Sequence, residues 1–157
     1  MDNFFKNEIP EWDFFKHFSQ TDEGELSQKQ NRLKSAETLY NQSREIYQLA
    51  KLFCETLTGE YAAHTTNLVM ENAGAVPVKI IGAEAGDLYV LRMENAAIIR
   101  LNYRQLLEQI GFSRVINIGK DEYSELLLAE IEKFRKLFTE WVDSFETDKI
   151  TDDWGVF

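Results

Sequence analysis

The chain has 157 residues, 44% of them hydrophobic, enough to bury the core of one ordinary domain without a disulfide or a metal. Its single cysteine, Cys54, cannot form an internal disulfide, and the pattern around it reads as a small buried hydrophobe within a helix. The formal net charge of -10 is unevenly spread: residues 1–25 carry two lysines against seven acids, residues 26–120 eleven basic groups against nine acids, and residues 121–157 four against eleven. No concentrated basic face emerges for tracking phosphates, which argues against nucleic-acid binding. There is no positively charged leader and no apolar run of about 18 residues, so the expectation is a cytoplasmic protein with no membrane contact.

Residues 1–24 are crowded with aromatics (Phe4, Phe5, Trp12, Phe14, Phe15 and Phe18) and interrupted by Pro10. So many rings favour short turns laid across a larger body. Residues 25–58 have a long helical pattern. Leu26, Leu33, Tyr40, Tyr47 and Cys54 recur every seven residues, Ala36, Ala50 and Leu57 take the companion position, and Gly59 is the stop signal. At 1.5 Å per residue such a helix is about 50 Å long.

A shorter helix is expected over residues 60–73, ended by Gly74. Pro77, suited to a first helical position, then opens a long helix over residues 78–110 that stops at Gly111. An α+β alternative stays open here. The stretches V-K-I-I and L-Y-V-L, separated by G-A-E-A-G-D, also fit a hairpin at residues 76–93. If the region is helical, Gly82 and Gly86 let a neighbouring helix approach. Residues 121–145 form the clearest amphipathic helix, with Tyr123, Leu127, Ile131, Phe134, Phe138, Trp141 and Phe145 along one face and Glu132 four residues before Lys136. The tail, residues 148–157, is acidic and aromatic. The fold class expected is therefore mainly α: one domain spanning residues 1–157, an elongated antiparallel bundle of three long helices and one shorter one, with the aromatic N-terminal segment packed across it.

Helical bundles hold di-iron sites through inward glutamates and Glu-x-x-His pairs, but Tyr61 and Phe14 stand three residues before His64 and His17. Glu60 and His64 share a helix face, and with Glu94 they are the weak metal candidates; no cofactor is expected. The chain has no G-x-S-x-G, C-x-x-C or phosphate-binding G-x-x-x-x-G-K motif, so no catalytic residue is assigned and a non-catalytic protein is expected.

Two places remain where function can sit. The first is the stretch R-M-E-N-A-A-I-I-R-L-N-Y-R, residues 92–104, which is apolar yet carries three arginines, a glutamate and two asparagines. On a helix, Tyr89, Met93, Ala96, Tyr103, Leu107 and Ile110 make one apolar line with Arg100 inside it. Either Asn95, Asn102 and Arg100 are buried or half-buried polar groups that fix helix register and partner choice, with Arg100 bonded to a carboxylate on another helix, or Glu84, Arg92, Glu94 and Arg100 line a cavity for a small ligand or ion. The second place is the tail, where Asp152, Asp153, Trp154 and Phe157 combine steering charge with aromatic anchors suited to a partner's groove. Three functions follow: a self-associating interaction protein binding itself or another protein, a small-ligand or metal-binding bundle, and an acidic decoy or immunity-type protein for a basic partner.

Overall fold

The computed structural model describes residues 9–13, 23–148 and 153–155. It holds four helices: α1 (Glu23–Glu55), α2 (Ala62–Ala83), α3 (Tyr89–Val115) and α4 (Asp121–Asp143). No strand occurs among the described residues, so the hairpin at 76–93 does not form. V-K-I-I-G-A instead completes α2, while Y-V-L opens α3. The intervening E-A-G-D-L, residues 84–88, is a connection that joins helices, so the single helix expected over residues 78–110 is broken there.

Each helix packs on its sequence neighbours, and α1 also packs on α4, closing a four-membered ring. Two turns tie one end of this ring together. The Thr58 N–H donates to the Ile118 carbonyl at 2.7 Å, and the Lys120 N–H donates to Thr56 Oγ1 at 3.2 Å. The C-terminal ends of α1 and α3 therefore lie together, and the chain runs up, down, up, down. Gly119 sits where these turns meet. A Cβ there would stand 2.9 Å from Leu57 Cδ2 and 3.1 Å from Phe53 Cε2, so a larger residue would have to push these side chains aside.

The seven-residue spacing of α1 is borne out. Leu33, Ala36, Leu39, Tyr40, Ile46, Tyr47, Ala50 and Phe53 are all buried, and Gly59, at φ +90°, makes the turn that follows. The stripe of α4 is borne out too, with Leu127, Ile131, Phe134 and Trp141 buried and Tyr123, Phe138 and Phe145 packed at its edge. Glu132, however, pairs with Arg135 at 2.7 Å rather than with Lys136.

The boundaries in the middle of the chain differ from expectation. Neither Gly74 nor Pro77 interrupts α2, which runs on to Ala83. Ala73, Val76, Pro77 and Ile80 are all buried, and this burial outweighs the roughly 3 kcal/mol that proline costs inside a helix. Gly111 does not stop α3 either, because Ile110 and Ser113 on either side of it are buried in the bundle. The stop comes at Asn117, in the left-handed region at φ 54°. There Ile118 N–H bonds back to Ser113 O and Asn117 N–H to Arg114 O, closing the last turn in a Schellman motif.

Of the aromatic N-terminal segment, Ile9 and Trp12 are described and pack against the core. The Trp12 ring lies 5.8 Å from that of Tyr40 on α1, and the Tyr40 hydroxyl donates to the Pro10 carbonyl. Phe4, Phe5, Phe14, Phe15 and Phe18 lie outside the described residues. No helix among the described residues is long and apolar enough to cross a membrane.

Candidate functional site

The α2–α3 connection delivers a carboxylate into the interior. Glu84 follows the last residue of α2, and its side chain is fully enclosed. Two donors bond to it, the Trp141 indole N–H at 3.0 Å from Oε1 and Arg32 Nε at 3.1 Å from Oε2, and Arg92 adds an ion pair, its Nε 3.6 Å from Oε2 and without a hydrogen-bond partner among the described residues. A buried carboxylate is tolerated only when paired and hydrogen-bonded, and here α1 and α4 each supply a hydrogen bond and α3 a charge.

One turn of chain later, Asp87 closes the same cluster from the solvent side. It accepts from Lys29 Nζ at 3.0 Å, Arg32 Nη2 at 3.2 Å and Arg92 Nη2 at 3.0 Å. Burial on its own pushes the Asp87 carboxyl up, but the Lys29 hydrogen bond and the charges of Lys29, Arg32 and Arg92 together hold it below its ordinary value. Next to the cluster lies an open cleft of about 250 Å³, completed by Gln28, Glu146, Thr147 and Asp148. Asp148 anchors the start of α3 by accepting from the Tyr89 N–H at 2.8 Å.

The other site lies farther along α3, where it faces α4. The α3–α4 seam is the most sparsely packed of the four, and an apolar groove runs along it. Two adjoining hollows of about 130 and 210 Å³ share Arg100 and Phe138. Ile99, Tyr103, Leu107, Ile131 and Phe134 line one, and Met93, Ala96, Ala97 and Val142 the other. Aromatic rings stiffen the floor: Tyr103 meets Phe134 edge-on at 4.5 Å, and Phe134 stacks on Phe138 at 6.0 Å.

Three arginines, Arg100, Arg104 and Arg135, edge the first hollow. Arg135 is held by Glu132, whereas Arg100 and Arg104 are exposed and form no ion pair among the described residues. Tyr103 is 5% exposed, and its enclosed hydroxyl has no hydrogen-bond partner among the described residues. Burial raises the pKa of this phenol well above its ordinary value, so it stands as a neutral O–H donor.

Of the four residues expected to line a ligand cavity, Glu84 and Arg92 come together in the charged cluster. Glu94 and Arg100 do not join them, because both are exposed. Arg100 is accordingly neither buried nor bonded to a carboxylate on another helix, which corrects the structural expectation for it. The expected line of α3 holds in part: Ala96, Tyr103 and Ile110 are buried, but Leu107 is exposed, and Arg92, Asn95, Ile99 and Leu106 widen the inward face. Asn95 is buried, giving its amide N–H to the Leu91 carbonyl, and it meets Gly82, where a Cβ would stand 3.2 Å from Asn95 Oδ1. Gly82 thus admits a neighbouring helix as expected, whereas Gly86 belongs to the connection. Asn102 is half-buried and bonds to the Ile98 carbonyl.

Glu60 and His64 are both exposed, with Glu60 in the turn before α2. No group of three or more His, Cys, Asp and Glu able to hold a metal ion occurs among the described residues. Asp153 is exposed and Trp154 is 89% exposed, with Gly155 at φ +65° beside them; Asp152 and Phe157 lie outside the described residues. Cys54 is half-buried, and burial pushes its thiol up to about 11, partly offset by a hydrogen bond with Thr66.

Sequence reasoning missed Lys29, Arg32, Asp87 and Trp141 as members of the cluster. One signal was present: Lys29 occupies the same every-seventh row as Ala36, Ala50 and Leu57, so a cation was due to face the interior. No family model matches the chain, and no curated protein or solved structure matches it either.

Proposed function

We propose that the chain is a non-catalytic, cytoplasmic interaction protein that associates with further copies of itself through the α3 side of the bundle. The observation that carries this reading is the apolar α3–α4 groove edged by Arg100 and Arg104, which hold no ion pair among the described residues, on a chain whose excess charge is negative and concentrated at its two ends. One molecule thus holds both halves of a complementary surface. Beyond the groove, Ile98, Leu101, Phe112 and Val115 extend the exposed apolar surface of α3, with Val115 85% exposed.

The small-ligand reading is weaker. In the cluster, Lys29, Arg32 and Arg92 are already held by Glu84 and Asp87, and Glu146 and Asp148 add further negative charge to the cleft. A cleft of about 250 Å³ also falls below the roughly 300–1,000 Å³ typical of small-molecule pockets. The decoy reading assigns the acidic ends to a foreign basic partner, but the arginines of the groove offer them a partner within the same protein.

Sedimentation velocity over a concentration series tests the proposal. A dimer or larger species that grows with concentration and weakens with added salt is expected. A monomer at every concentration at low salt overturns it.

A further inference from the structure

We infer that the acidic aromatic segment Asp152–Phe157 of one copy docks in the α3–α4 groove of a second copy. This names the partner of the self-associating surface and rests on the self-association reading. The two hollows, about 130 and 210 Å³, are sized for single side chains rather than for a drug-sized ligand, for which pockets begin near about 300 Å³. Trp154 and Phe157 are large apolar side chains for such hollows, and Trp154 is 89% exposed. Asp152 and Asp153 bring two negative charges to a rim of Arg100, Arg104 and Arg135.

The alternatives within the chain fit less well. At the other acidic end, Ile9 and Trp12 are packed on the core and Trp12 against Tyr40 of α1, the helix diagonal to α3 in the ring. In its own copy, Asp153–Gly155 is described and contributes nothing to the groove lining. Where two copies exchange segments reciprocally, the assembly closes as a two-fold dimer and leaves no open groove to propagate it.

A charge exchange tests this on the full-length chain. One variant carries Asp152→Lys with Asp153→Lys, and the other carries Arg100→Glu with Arg104→Glu. Each alone places like charges together and is expected to sediment as a monomer where the unaltered protein is dimeric. Mixed in equal amounts, they restore both contacts and the dimer returns. As an uncharged check, Trp154→Ala is expected to raise the dissociation constant at least about tenfold. A dimer that survives both the aspartate exchange and Trp154→Ala keeps self-association but overturns docking of the segment, as does a mixture that stays monomeric. An unaltered protein that is monomeric throughout overturns both readings together.

Discussion

The charged cluster at the α2–α3 connection and the arginine-edged groove between α3 and α4 use the same residue types and reach opposite results. In the cluster, Lys29, Arg32 and Arg92 share two carboxylates: Glu84 is fully enclosed, Arg32 and Trp141 bond to it, and Arg92 pairs with it at 3.6 Å. In the groove, Arg100 and Arg104 remain in solvent and hold no carboxylate among the described residues, where the enclosed Tyr103 hydroxyl also has no hydrogen-bond partner. The difference is desolvation. A charge withdrawn from water must be neutralised within the fold, whereas one left in water costs little and stays available to something else.

Substitutions that break this contrast should follow the same order. Replacing Glu84 with glutamine leaves Arg32 and Arg92 with only Asp87 to balance them, and urea denaturation should show a loss of about 3–5 kcal/mol. An unchanged midpoint would mean that the cluster is far more hydrated than its geometry implies. Trp141→Phe keeps the ring packing and removes one donor from Glu84, at an expected cost of about 1.5–3 kcal/mol. On the groove side the sign reverses. Tyr103→Phe deletes an enclosed hydroxyl that has no partner among the described residues, so thermal unfolding should shift upward by the equivalent of about 1 kcal/mol.

Asp87→Asn probes the boundary between the two regimes, since its side chain is 63% exposed although it contacts three cations. Screening by solvent keeps its contribution to about 1 kcal/mol or less. Its folded pKa lies below the ordinary value of 3.8, so this stability is present above that value and is lost as pH falls through the lower folded one. The unaltered and Asp87→Asn proteins should therefore differ near neutral pH and converge in acid. Smallest of all, the Arg100→Glu and Arg104→Glu pair should move the unfolding midpoint by no more than about 0.5 kcal/mol, because neither arginine holds a partner within the fold. A large destabilisation would show that the groove edge is structural.

Much of the fold was legible from periodicity. The heptad rows of α1 and the stripe of α4 were readable because each carries its apolar residues on one face and polar residues on the other. The phase of α3 was not, because apolar residues occur on more than one of its faces: Ile99 points in while Ile98 and Leu101 remain exposed. The helix boundaries between residues 74 and 89 were misread because Gly74 is a local stop signal and Pro77 a local start signal. Burial of Ala73, Val76, Pro77 and Ile80 overrode them.

By itself, the sequence determined that the chain is helical, which faces of α1 and α4 turn inward, and that Glu84, Arg92 and Arg100 needed explaining. Such features follow from spacing along a single helix, which is a property of neighbours in the chain. Only the tertiary structure decided that Glu84 and Arg92 belong with Lys29, Arg32, Asp87 and Trp141, and that Arg100 stands on a groove. Lys29 and Asp87 are 58 residues apart in sequence, as are many such pairs in the bundle. Their meeting depends on how four helices close into a ring, a geometry to which no single periodicity refers.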